Sequence, residues 1–232
     1  EIPLRLVGSE MCIRDRFPVS AKVGALALLW AIIVGVPLGC LAAFKRGKLT
    51  DSILRVICTL GISMPSFVVA SVLLVTLTGD GALNLFPSIF DASQGIRAYI
   101  LPCFALGFYP MCYTARQTRS AMLDSLSQEY IKTARAKGLK NKKIIFKHAL
   151  RNALIPVITV FGMEIGSLIA FTTVTETIYS WPGLGKLLID SINSVDRPVI
   201  VAYLILTTVL FVFINFVVDL LYTVIDPRIK IR

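Results

Sequence analysis

"EYIKTARAKGLKNKKIIFKHALRNALIP", residues 129–156, crowds lysine and arginine into a helix-prone segment that lies between two runs apolar enough to sit in lipid. The whole chain explains why such a segment stands out. Its 232 residues are 56% hydrophobic and only 16% charged, with a mean hydropathy of +0.76, beyond what a solvated globular surface carries. A polytopic membrane protein is implied, and its net charge of +10 points to anionic lipid rather than nucleic acid, because the basic residues cluster beside apolar runs. Cys40, Cys58, Cys103 and Cys112 fall in or beside those runs without metal or disulfide spacing, so they read as small buried apolar residues.

A membrane-crossing helix needs about 20 apolar residues. Five stretches qualify: Ala21 to Phe44, Ile53 to Thr78, Ala98 to Tyr113 with a polar continuation, Ala153 to Thr175, and Val199 to Ile225. The loop after the first span (Lys45, Arg46, Lys48, Arg55), the long central loop (from Arg116 and Arg119 through Lys132, Arg135, Lys137 and Lys147 to Arg151) and the tail (Arg228, Lys230, Arg232) hold 17 basic residues, against Arg97, Lys186 and Arg197 in the intervening loops. This asymmetry places the basic loops and the carboxyl terminus in the cytoplasm.

Residues 1–16 stand apart. "LVGSEMCIRDR", Leu6 to Arg16, matches nothing in the apolar pattern and resembles a translated transposase-type library adapter. We therefore expect residues 1–16 to be non-native, a domain over residues 17–226, and a short tail at 227–232. Five spans with the carboxyl end inside leave residue 17 outside, so parity calls for one further amino-terminal span.

Within the central loop, about residues 116–152, Ser125 and Gln128 have capping-box spacing. A helix is expected through "QEYIKTARAK", ending at Gly138, with Asn141 capping the next. Tyr130 and Ala134, with Ala136 or Lys137, share one face of it. The small residues Thr133, Ala134 and Ala136 would let that face enter a groove on another protein, while a surface helix lying on anionic lipid suits the lysines equally well. "GVPLG" (35–39), "GISMPS" (61–66) and "LPCFALGFYP" (101–110) are expected to interrupt their spans, as happens where a bundle lines a pathway.

"EYIKTARAKG" and "KHALRNALIPVIT" resemble the cytoplasmic coupling motif of permease subunits of type I ATP-binding-cassette (ABC) importers, in the first-permease branch of the dipeptide, oligopeptide and nickel group. Against the general pattern of that motif, Ala134, Gly138 and Leu150 match, whereas Lys132, Thr133, His148 and Arg151 depart. "FPVSAKVGALALLWAIIVGVPLGCLAAFKRG", "ARQTRSAML", "TETIYSWPGLGKLLIDSI" and "VDLLYTVIDPRI" extend the resemblance from Phe17 to the end. It implies an all-α polytopic membrane bundle of the MetI-like ABC transmembrane type-1 fold. It also implies a half-pore in the lipid bilayer that pairs with a homologous permease, two cytoplasmic ATPases and an external substrate-binding protein. The resemblance implies no cofactor, no metal, no nucleic acid and no ATPase site in this chain.

Glu129, Tyr130, Thr133, Ala134, Ala136, Gly138 and Leu150 are then expected to couple to the ATPase, and Glu164, Glu176 and Asp219 to be candidates for the pathway. An importer of nickel or another small solute shares this scaffold. An ion-gradient transporter is the alternative of another class, since it too would hold acidic residues in its spans. A basic anchor binding lipid or nucleic acid would leave the interrupted spans unexplained. His148 alone forms no metal site and reads as a packing or helix-surface residue.

Overall fold

A computed structural model describes residues 2–79, 83, 85–140 and 143–225. These are helical almost throughout. Helix α1 spans Ile2–Phe44, α2 Leu49–Ser63, α3 Ser66–Leu77, α4 Ile96–Ser127 and α5 Glu129–Ala136. A π-helical segment, Ile144–Ala149, runs directly into α6, Leu150–Ile178, followed by α7, Leu184–Asn193, and α8, Arg197–Ile225. An isolated bridge between Thr78 and Phe86 is the only extended pairing among the described residues. The expected tail at 227–232, with its basic residues, and Asn141 lie outside them.

Among the described residues four helices have the length and hydropathy to cross a membrane: Ile13–Phe44, Ile96–Ser127, Ile144–Gly166 and Arg197–Leu220. The expected second span is not one helix. α2 and α3 are bent by 104° at the break between them, where Pro65 supplies no amide to continue the ladder. "GISMPS" therefore interrupts the chain as expected, and the other two segments do not: α1 continues through Pro37 and α4 through Pro102 and Pro110.

The glycines in those unbroken segments serve close packing. A Cβ at Gly35 would lie 2.8 Å from the Met111 carbonyl oxygen, and one at Gly39 would lie 2.5 Å from that of Ala115. Small residues that let helix backbones touch are how helices associate in lipid, where no hydrophobic driving force acts between them.

The chain divides into two compact units, each assembled from parts of the long helices. In the first (1–30, 64–109, 165–215) Val23, Ala27, Cys103, Leu106 and Leu168 surround Trp181. That indole is held edge-on by Phe90 and Tyr99, with ring centroids 4.3 and 4.7 Å away. Nearby, the Tyr179 hydroxyl donates to the Ala70 carbonyl over 3.1 Å. In the second (31–63, 110–164, 216–232) Cys40, Ala43 and Met122 pack with Ile131, Ala134, Ile144, Ala149 and Ala153. Cys40, Cys58, Cys103 and Cys112 are buried free thiols, as their setting implied.

Candidate functional site

The basic loop folds as helix, glycine turn, helix. Helix α5 closes with Gly138 at φ +72. The Gly138 amide donates to the Arg135 carbonyl over 2.9 Å, and the Leu139 amide reaches back to that of Ala134 over 3.3 Å. This pair of bonds is a Schellman motif, in which a left-handed residue lets two carbonyls at a helix end find donors. The glycine reading is therefore correct to the residue. The second helix differs from expectation in one respect: it is not separate but is the beginning of the following span.

The start of α5 is not built as predicted. Its N-cap is Gln128, which makes no side-chain capping bond, and the Ser125 hydroxyl is engaged elsewhere. Ser125 Oγ donates to the Ala149 carbonyl over 3.1 Å and lies 2.6 Å from the Tyr130 hydroxyl. Asn152 Nδ2 donates to that same Tyr130 oxygen over 2.9 Å. A serine hydroxyl has one proton, so the phenol supplies the proton of the bond between them. A chain of donors then runs from Asn152 through Tyr130 and Ser125 to the backbone of Ala149. It ties the end of α4, the start of α5 and the π segment together, and such chains reinforce each bond in turn.

Burial also divides the candidate residues of the loop. Ile131 and Ala134 are buried against Met122, Ile144 and Ala149, and Leu150 packs beside them. Ala134 is therefore buried against this chain, and Leu150, partly buried, packs beside it. Glu129, Tyr130, Thr133, Ala136 and Gly138 are exposed, together with Lys132 and Lys137. Lys132 Nζ and Glu129 Oε1 pair at 2.7 Å on that outer side, a contact worth little in water. His148 is half-buried in the π segment.

An ion pair that sequence reasoning missed braces the same unit. The Asp51 side chain, 1% exposed at the start of α2, accepts Arg119 Nε and Nη2 over 2.7 and 2.9 Å and the Gly47 amide over 3.1 Å. Gly47 reaches that position with φ +75. Arg55 Nε stands 3.6 Å from the same carboxylate. The two-pronged match of guanidinium to carboxylate is the strong form of this contact. With the partners 68 residues apart, neither local spacing nor charge counting could pair them.

The acidic candidates for the pathway have different settings. Glu176 is buried and fully engaged. Its Oε1 accepts the Ser20 hydroxyl over 2.5 Å, and its Oε2 accepts the Gly185 and Lys186 amides over 2.8 and 3.2 Å. These amides open α7, whose first orphan donors attract an anion. Ser20 Oγ meanwhile accepts the Leu184 amide over 2.8 Å. The "SWPGLG" turn is shaped around this carboxylate: a Cβ at Gly183 would come within 2.2 Å of its carbon, and one at Gly185 within 2.3 Å of Thr173 Cα. Glu164 is buried and Asp219 exposed, both in the other unit. Among the described residues no group of His, Cys, Asp and Glu is arranged to hold a metal.

The fold is that of ABC-importer transmembrane domains. It superposes on a chain of the methionine ABC transporter MetNI in an inward-facing conformation with a TM-score of 0.74 at 16% identity, covering 94% of this chain and 97% of that one. Residues 35–231 match the family described as binding-protein-dependent transport system inner membrane component, and the chain belongs to that family. It is 41% identical over 238 residues to the di/tripeptide transport system permease protein DppB of Pseudomonas aeruginosa, covering 92% of this chain and 71% of that protein. It is 43% identical over 216 residues to the dipeptide permease DppB of Bacillus subtilis, covering 93% and 69%. A glutathione permease, GsiC of Salmonella typhi, is 37% identical over 220 residues, covering 95% and 71%.

Proposed function

We propose that this chain is the permease subunit of an ATP-driven importer that moves di- or oligopeptides across the cytoplasmic membrane. The observation that carries the substrate class is the 41–43% identity to two permeases named for di- and tripeptides, over more than nine-tenths of this chain. In this reading residues 17–226 form the permease domain, with the basic loop and the carboxyl terminus in the cytoplasm. A homologous permease completes the pore, an external binding protein delivers peptide, and two separate ATPases supply energy.

The coupling element is the loop around Gly138. Glu129, Tyr130, Thr133 and Ala136 would meet a cleft on the ATPase, while Ala134 and Leu150 hold the helix that carries them. A rigid-body shift of the ATPase would pass through α5 to α4 and α6, which flank it. Glu164 and Asp219 remain candidate pathway residues. Glu176 is better suited to holding the "SWPGLG" turn, because its oxygens are occupied by Ser20, Gly185 and Lys186.

The test is uptake into proteoliposomes holding the complete importer. ATP-dependent accumulation of a labelled dipeptide, competed by tripeptides and not by Ni²⁺, is expected. Accumulation driven by a proton or sodium gradient without ATP would overturn the reading, and competition by Ni²⁺ alone would reassign the substrate.

A further inference from the structure

The second unit holds a basic hollow that the coupling role does not use. It has a volume of about 430 Å³; Arg55, Thr59, Arg116, Gln117, Arg119 and Ser120 of α2 and α4 supply its polar lining, and apolar side chains of α1, α2 and α4 line the rest. Of its three arginines, Arg119 is committed to Asp51 at 2.7 Å. Arg55 is exposed, with only a longer 3.6 Å approach to that carboxylate. Arg116 is also exposed; its guanidinium carbon lies 5.5 Å from the Tyr113 ring centre, and among the described residues it has no ion-pair partner. Asp51 thus offsets one positive charge of three, and the hollow keeps a surplus facing its opening.

What adjoins the hollow fixes the kind of anion. Ile53, Val56, Ile57 and Leu60 follow α-helical spacing on α2 and are exposed, each with 48–59% of its surface free. They form an apolar stripe beginning level with the arginines. Between stripe and hollow lies a second depression of about 450 Å³, lined by Ser52, Arg55, Val56, Thr59 and Leu60. Arg55 and Thr59 are common to both. A free inorganic anion would use the arginines and leave the stripe bare; a hydrocarbon chain would use the stripe and leave the arginines bare.

We propose that this is a binding site for one anionic phospholipid, whose phosphate is held by Arg116 and Arg55 and whose acyl chain lies along Ile53, Val56, Ile57 and Leu60. Basic pockets between helices on the cytoplasmic side suit such headgroups, and the orientation proposed above puts these arginines there. The site is independent of which solute is transported.

The experiment is native mass spectrometry of the intact importer released from micelles containing equal amounts of phosphatidylglycerol and phosphatidylcholine. The wild type is expected to retain phosphatidylglycerol preferentially, and the Arg55→Gln, Arg116→Gln double variant to lose that preference by about tenfold. The Arg55→Lys, Arg116→Lys variant, which keeps the charge, should retain most of it and shows whether the glutamine variant is merely misfolded. Equal retention of the two lipids by the wild type, or undiminished preference in the glutamine variant, would overturn the proposal. So would equal protection from lipid exchange by glycerol 3-phosphate, because the site would then take a free phosphate rather than a lipid. None of these outcomes touches ATPase docking, so failure here is distinguishable from failure of the permease reading.

Discussion

Tyr130 shows how much a single hydroxyl can organise when its partners come from two other segments. Tyr130→Phe keeps the ring and deletes the bridge between Asn152 and Ser125, at a cost of about 1–2 kcal/mol confined to the loop. We expect faster tryptic cleavage at Lys132 and Arg135 with little change in the global melting temperature; an unchanged cleavage rate would refute the bridging role. Asp51→Ala is a different case. It leaves the Arg119 guanidinium without the carboxylate that both its prongs engage, and removing one partner of a buried pair costs about 3 kcal/mol. The detergent-solubilised importer should show that loss in thermal unfolding, and an unaltered melt would mean that the pair contributes nothing. The 1% exposure of Asp51 and the 20% exposure of Arg119 put the expected cost at the lower end of the range for such pairs.

At the scale of the element, burial changes which substitutions probe α5. A large residue at Ala134 would collide with Met122, Ile131 and Ile144, so loss of an ATPase from such a variant would report damage to this chain as readily as loss of docking. Thr133→Trp and Ala136→Trp enlarge exposed positions instead. They should leave the permease monodisperse while lowering the amount of ATPase that copurifies; an undiminished complex from both would refute docking through this face. Gly138 needs its backbone and not its space, since its φ is +72 and no atom lies within 4 Å of where a Cβ would stand. Asn, which tolerates the left-handed region, should be accepted there, whereas Val should loosen the turn by about 1–2 kcal/mol, read as increased hydrogen exchange at Leu139. Gly183 is the reverse case: a Cβ would meet the Glu176 carboxyl group within 2.2 Å, so Gly183→Ala should lower the yield of folded protein.

Across the whole molecule, hydropathy alone located four of the five expected spans within single helices, because about 20 apolar residues in a row have few other uses. The second is two helices bent by 104°. α4 and α8 begin within two residues of the expected starts. The exposed side chains of α8 include Leu204, Phe211, Phe213 and Phe216, a surface that belongs against lipid or another apolar helix. What the sequence left hidden has a common cause. Asp51 finds Arg119, and Ser125 finds Ala149, across separations of 68 and 24 residues, and nothing in local spacing announces such pairs. Proline was misleading for the opposite reason: its effect depends on what surrounds it, so Pro65 stands at a break while Pro37 does not. The proposed orientation has its own test. A cysteine replacing Lys132 should react with a membrane-impermeant maleimide only after cells are opened, and one replacing Ser93 should react in intact cells; the reverse pattern would invert the topology.

The π turn at Ile144–Ala149 gives the chain one residue of slack. The Leu150 amide bonds back to Ile145, five positions rather than four, so the segment carries a residue more than an α-helical turn would need. Deleting the exposed Lys147 would take up that slack and return the ladder to four-residue spacing, without rotating the downstream side chains from the neighbours they now meet. Adding a residue there would turn everything beyond it by about 100°. A gene bearing the deletion should therefore still yield a folded permease, and one bearing the insertion should not.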